Sequence, residues 1–284
     1  MGENPMDIPD GFATTYGVEL LCEKPPVISK AQLLESLEKR CPDVAPLDGK
    51  TDSDMLAFVY KDHLVHLSDG FIPAQTFIAI SEQRLDVEEL RTALEQSWNF
   101  PEAQSVVEKC VASVLVTDLM SAGLEYQERL ELFQNVLASV IEVIPCLAIH
   151  WKQTQQIISP DAYLQAFAQS PTERFFAGGA INVRLFNISD RPGEMLMDTL
   201  GLSALGLTDL QCHFHNLNPD DVTKVLYNTA FYLYKNGDVI EDGNTIQGIA
   251  PDSRWRCRFE DALVEPQRVV IDLNPGKLFA AGNR

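Results

Sequence analysis

No stretch of this sequence approaches the roughly 18 consecutive apolar residues that a membrane-spanning helix needs. The most apolar segment, residues 136–151, is broken by Ser139, Glu142 and Pro145. The opening stretch, Met1 to Gly11, has neither a basic start nor an apolar run, so no secretory signal is expected there. Paired cysteines are missing too. Cys22, Cys41, Cys110, Cys146, Cys212 and Cys257 are scattered, and no two form a Cys-x-x-Cys. Contexts such as Leu20-Leu21-Cys22 mark them as buried, inert thiols, and with no export signal a reducing cytoplasm fits. Cations are scarce: Lys+Arg total 22 against 41 Asp+Glu, a formal net charge of −19. Such a field repels nucleic acid and anionic membrane, and it speeds encounter with a basic partner.

Signatures of catalysis are missing as well. There is no Gly-x-Ser-x-Gly elbow, no Gly-x-x-x-x-Gly-Lys-Ser/Thr phosphate loop and no Gly-x-Gly-x-x-Gly fingerprint. Gly178-Gly179 precedes a strand and reads as a turn. No cofactor and no metal is expected. His213 and His215 lie two apart on an expected strand and share a face, but a zinc site needs three or four ligands. Cys212 points to the other face, so nothing nearby completes the set. Asp242-Gly243-Asn244-Thr245 has a calcium-loop flavour, yet it lacks alternating oxygen ligands and a terminal Glu.

What is present is an ordinary globular composition, 45% hydrophobic and 22% charged, in a chain of 284 residues that can bury a sizeable core. Alternation marks strands at 14–22, 75–80, 111–118, 147–151, 180–188, 195–200, 209–214, 255–259 and 268–273. Residues 55–60 and 63–67 read as a hairpin about Lys61-Asp62, after a polar loop at 48–54. Ser29-Lys30-Ala31-Gln32 is a capping-box pattern opening a helix. Further helices are expected from Asp86 to about Trp98, in a short piece ending near Cys110, and after Ser159-Pro160-Asp161 and Asn218-Pro219. The clearest helix runs from Glu125 to Ile144. Its apolar face is Leu130, Phe133, Leu137, Val140, Ile141 and Ile144, with Glu125, Glu128, Glu131 and Glu142 off that stripe.

Single helices between pairs of strands predict an α+β fold, with mostly antiparallel sheets and helices on one face. The strand–helix–strand–strand–helix–strand rhythm can be read twice, which predicts two ferredoxin-like lobes, 1–110 and 111–284. Arg254, Arg256 and Arg258 alternate along one strand as the only basic stripe. They suit either a partner's carboxylates or the chain's own acids.

Two passages carry a resemblance. They are Asp198-Thr199-Leu200-Gly201-Leu202-Ser203-Ala204-Leu205-Gly206-Leu207-Thr208-Asp209-Leu210-Gln211 and Asn236-Gly237-Asp238-Val239-Ile240-Glu241-Asp242-Gly243-Asn244-Thr245-Ile246. Both resemble the bacterial Domain of Unknown Function 4261 family. The likeness extends to the helix between them and to residues 111–151. One departure is Gln247, which stands before Gly248. The family supplies no catalytic residues to carry over. What the resemblance implies is an immunity role beside secreted bacterial toxins. The expectation is therefore a non-enzymatic acidic protein that blocks a cognate basic toxin, such as a type VI nuclease effector. Its contacts would be Glu125, Glu128 and Glu131 on the long helix, and Asp238, Glu241 and Asp242 in the later loop. The competing expectations are an enzyme built on His213 and His215 with nearby carboxylates, and a scaffold or adaptor subunit. Neither nucleic acid nor membrane is expected as a partner.

Overall fold

The structure is a computed structural model that describes residues 10–47, 55–81, 86–169 and 178–282. The loop expected at 48–54 lies outside the described residues. Two compact units emerge: Thr14–Ala180, and the described parts of Met1–Ala13 with Ile181–Arg284.

The first unit runs β1 (Gly17–Cys22), α1 (Lys30–Glu38), β2 (Val44–Pro46), β3 (Met55–Leu67), β4 (Gly70–Ser81), α2 (Arg91–Glu95), α3 (Ala103–Val107), β5 (Ala112–Leu119), α4 (Tyr126–Val143), β6 (Ala148–Trp151), β7 (Gln156–Ile158) and α5 (Pro160–Phe167). Its described strands form one sheet in the order β2-β3-β4-β5-β1-β6-β7, with every neighbouring pair antiparallel. Within it, β1-α1-β4 and β5-α4-β6 interleave as β4-β5-β1-β6, the split β-α-β order of a ferredoxin-like lobe. The boundary expected at 110/111 therefore falls inside this unit. Residues on both sides of it build one sheet, because β5 bonds along its length to β1 on one side and β4 on the other.

Local chemistry places these elements. Ser29 Oγ accepts from Gln32 N at 3.4 Å to start α1, and Ser159 Oγ accepts from Ala162 N at 3.4 Å ahead of Pro160 in α5. Such caps satisfy the orphan amides of a first turn. Residues 16, 18 and 20 of the first strand region share a face with Ile149, Trp151, Val114 and Val116, and all of these are buried. There Tyr16, Phe133 and Trp151 meet edge to face with centroids 5.2 to 5.9 Å apart. The opposite face at Leu21, Ala148 and Ile157 is covered by Leu90, Ala93, Ala103 and Val107 of the α2–α3 region.

Two local expectations are corrected. Lys61-Asp62 is not a hairpin turn: β3 is a single strand of 13 residues with an irregular register between Tyr60 and Leu64, and the chain turns at Ser68-Asp69. Asp43 explains the difference. Its carbonyl accepts from Lys61 N at 3.4 Å and its Oδ2 from Asp62 N at 3.0 Å, which holds the irregularity within the strand. The helix expected over 86–98 is helical only at Arg91–Glu95 and begins with non-helical turns.

The second unit holds β8 (Asn182–Asn187), β9 (Glu194–Leu200), a 3-10 turn at Ser203–Leu205, β10 (Asp209–His215), α6 (Pro219–Asn236), β11 (Thr245–Gln247), β12 (Arg254–Asp261) and β13 (Val269–Asn274). The sheet order is β11-β12-β13-β10-β9-β8, with β10 and β13 parallel. Asn218 caps α6, Asp220 and Asp221 sit in its first turn, and Gly237 ends it at φ 79. The expected stripe of Val222, Val225, Leu226, Ala230 and Leu233 is buried, and α6 lies against β8, β9 and β10.

Candidate functional site

Side chains on a strand alternate between faces, so residues two apart share one. In the second sheet one face carries Leu210, Cys212, Phe214, Cys257, Ile271 and Leu273, all buried. The other face carries a polar row that crosses five strands in register. Arg184 of β8 faces Asp198 of β9, Asp198 faces Gln211 of β10, Gln211 faces Asp272 of β13, and Asp272 faces Arg258 of β12.

Most of this row is dry. Arg184 and Asp198 form a two-pronged pair, Nε to Oδ1 at 2.9 Å and Nη2 to Oδ2 at 2.5 Å. Arg268, just before β13, donates from Nη2 to Asp198 Oδ2 at 2.9 Å and from Nε to Asp209 Oδ2 at 3.2 Å. Asp209 also accepts from Thr199 Oγ1 at 2.9 Å, Leu202 N at 3.1 Å, Ser203 N at 3.2 Å and Ser203 Oγ at 2.6 Å. The side chains of Arg184, Asp198, Asp209 and Arg268 are 0 to 2% exposed. A buried charge persists only when paired and hydrogen-bonded. This network ties the β9–β10 connection, where Gly206 takes a left-handed φ of 83, to the strand beneath it. Its carboxylates are filled by protein donors, so it serves to hold the chain in place.

At its far end the row opens to solvent. Arg256 and Arg258 share a cavity of about 360 Å³ with Asp242, Glu260, Asp272 and Asn274. Arg258 Nε stands 3.8 Å from Glu260, and Arg254 Nη1 donates to the carbonyls of Pro251 at 3.1 Å and Ser253 at 2.9 Å. Arg254 and Arg258 thus have partners within their own unit.

The expected contact acids fall into two sets. Glu125, Glu128 and Glu131 belong to the first unit, and Asp238, Glu241 and Asp242 to the second. Several of them hold their own chain. Glu125 caps α4 by accepting from Gln127 N at 3.4 Å, and Glu128 sits 2.8 Å from His63 Nδ1. Asp238 accepts from Thr208 N at 3.0 Å and Thr208 Oγ1 at 2.7 Å, and Asp242 accepts from Phe259 N at 3.0 Å. Glu131 and Glu241 are exposed. The histidine pair also divides: His213 Nε2 lies 3.2 Å from Glu194, whereas His215 Nδ1 lies 2.8 Å from Asn216. Among the described residues, no group of three or more His, Cys, Asp or Glu gathers to hold a metal ion.

Two further charge clusters lie in the first unit. Asp118 and Arg129 pair in its core, Nε to Oδ2 at 2.6 Å and Nη2 to Oδ1 at 3.1 Å. On the sheet face opposite α4, Glu19 Oε2 is 3.3 Å from His150 Nδ1 and Glu19 Oε1 accepts from Lys152 at 3.1 Å. The hydrogen bond from His150, aided by Lys152, pulls the Glu19 carboxyl down to about 2. Burial pushes the Cys22, Cys110 and Cys257 thiols up to about 11 and those of Cys41 and Cys146 to about 12.

These features define an α+β protein of two units, with a charge-locked sheet in the second. Residues 198–274 match the sequence model of a domain of unknown function, DUF4261. The match spans β9 to β13 and contains every member of the buried network except Arg184. No curated protein and no solved structure matches the chain. No helix among the described residues is long and apolar enough to cross a membrane.

Proposed function

We propose that the protein is a non-enzymatic acidic binding protein: an immunity protein that works in the bacterial cytoplasm and neutralises a cognate secreted toxin by covering its cationic active-site cleft. A type VI nuclease effector fits this role, because a nuclease cleft must be basic to hold phosphate.

One observation carries the reading. The buried arginines Arg129, Arg184 and Arg268 pair with the buried aspartates Asp118, Asp198 and Asp209, and Asp272 is a fourth buried aspartate. The core pairs cancel, so nearly all of the net charge of −19 lies outside the buried residues described. Many other cations are tied to acids: Arg40 to Glu142, Arg91 to Glu88, Lys152 to Glu19 and Lys224 to Asp221. The outward field is therefore negative, the arrangement that steers a basic partner and repels nucleic acid.

The test is co-purification with the product of the adjacent gene, together with survival of cells that express that product. A stable complex and rescue of growth support the reading. A failure of both removes it.

A further inference from the structure

On the face opposite α4, the first sheet is covered only in part. Residues of the α2–α3 region pack over Leu21, Ala148 and Ile157. Beside them the strands floor a cavity of about 650 Å³, a volume that accepts a small organic molecule. The floor is a row in register across four strands. Ala79 of β4 faces Leu115 of β5, Leu115 faces Glu19 of β1, and Glu19 faces His150 of β6. Three gaps between strands make that row about 14 Å wide. Asp86, Glu89 and Leu90 line another side. Their turn is held, because Asp86 Oδ1 accepts from Glu88 N at 3.0 Å and the Val87 carbonyl accepts from Leu90 N at 3.1 Å.

The charged groups lining this cavity fall into two sets. Glu19, His150 and Lys152 satisfy one another: Glu19 Oε2 lies 3.3 Å from His150 Nδ1, and Glu19 Oε1 accepts from Lys152 at 3.1 Å. A carboxylate only accepts, so it keeps the imidazole proton on Nδ1 and leaves Nε2 as an acceptor. Glu19 and Lys152 cancel in charge. Asp86 and Glu89 remain, and no further cation among the described lining residues balances them. Ser113 is an independent mark of a ligand site. It lines the cavity, is only 6% exposed, and its hydroxyl has no hydrogen-bond partner among the described residues. Buried hydroxyls are normally paired, so this one is available to a guest.

We propose that this cavity binds a small organic cation, a primary ammonium carried on an apolar body. The three donors of an ammonium are met from a set of acceptors: the Asp86 and Glu89 carboxylates, Ser113 Oγ and His150 Nε2. Ile80, Leu90 and Leu115 take the apolar part. An anion would meet Asp86 and Glu89 with only Lys152, already committed to Glu19, to offset them. The site lies within the first unit and does not depend on the toxin-binding reading.

The probe is phenethylammonium, titrated into the full chain by calorimetry and by NMR of the histidine imidazoles, with His150 assigned through His150→Gln. Phenylethanol and phenylpropionate are its neutral and anionic counterparts. The expected result is a one-to-one complex that moves the His150 resonances, with the alcohol weaker by about tenfold or more and the carboxylate not bound. Glu89→Gln and Ser113→Ala each weaken the amine by about threefold to tenfold. Glu131→Gln, exposed elsewhere in the same unit, leaves it within about twofold. Glu89 is exposed and the Ser113 hydroxyl gives no hydrogen bond to the fold, so both variants keep the native structure, which circular dichroism checks. No binding of the amine, binding that leaves His150 unmoved, equal affinity of the alcohol, or indifference to both variants overturns the proposal.

Discussion

Replacing Asp209 by Asn tests whether the buried network holds the second unit together. Asn has nearly the same shape, so no cavity is made and the effect is electrostatic. Oδ1 of Asp209 accepts from Thr199 Oγ1 and Leu202 N, and Oδ2 from Ser203 N, Ser203 Oγ and Arg268 Nε. Either orientation of the new amide points its NH2 at a backbone N–H, of Leu202 or of Ser203, and a donor then faces a donor. Arg268 meanwhile loses one of its two carboxylates and keeps Asp198. Removing one partner of a buried pair costs about 3–5 kcal/mol, and the surviving bond to Asp198 argues for the lower end, about 3 kcal/mol. For a unit of this size that lowers its melting temperature by roughly 10–15 °C. Scanning calorimetry reads the shift, and the emission of Trp255, the tryptophan of that unit, assigns it. Glu241→Gln, exposed in the same unit, serves as control and stays within about 0.5 kcal/mol. A loss below about 1 kcal/mol for Asp209→Asn would refute the reasoning.

Other consequences are equally open to measurement. The Glu19 carboxyl is lowered to about 2, chiefly by its hydrogen bond with His150. A depressed carboxylate stabilises the fold above its ordinary value of 4.5 and loses that contribution as pH falls towards 2. Glu19→Gln should therefore cost about 1–2 kcal/mol near neutrality, after allowance for partial exposure, and progressively less in urea titrations between those two pH values. The Cys22, Cys41, Cys110 and Cys257 thiols are both buried and raised to about 11 or 12. Iodoacetamide at pH 8 should leave these four unmodified in the native protein and label all of them in urea, as counted by mass spectrometry. Val222→Ala on the buried stripe of α6 should cost about 1–3 kcal/mol by denaturant titration, and a neutral result would argue against the packing of α6 on its sheet.

Local signals in the sequence were legible because they act through near neighbours. Ser29, Ser159-Pro160 and Asn218-Pro219 each start a helix where their capping chemistry says one should start. The long stripe from Leu130 to Ile141 is buried as its spacing implies. Long-range pairing was less legible. The ferredoxin-like rhythm is present, but β1-α1 finds its partners across the drawn boundary, in β5-α4-β6, and no local composition marks that return. At Lys61-Asp62 a polar dipeptide suggested a turn, and only the fold brings Asp43 to bond there and keep the strand going. The buried network was missed for a related reason. Arg184 alternates with Val183 and Leu185, and Asp198 and Asp209 each stand between an apolar residue and a threonine, a pattern that reads as one wet face. Their burial depends on Arg268, 59 to 84 positions further on, and on the β9–β10 connection. Polar alternation on strands whose other face is fully apolar, paired with opposite charges in neighbouring strands, is the signal that would have suggested it.

The most direct test of the central claim is the association rate between this protein and the purified product of the adjacent gene, measured by stopped flow from low to high salt. Steering by the excess of carboxylates predicts a fast rate at low ionic strength, on the order of 10⁸ M⁻¹s⁻¹, falling by about a hundredfold as salt screens the charges. A rate indifferent to salt, or the absence of any complex, would contradict the account.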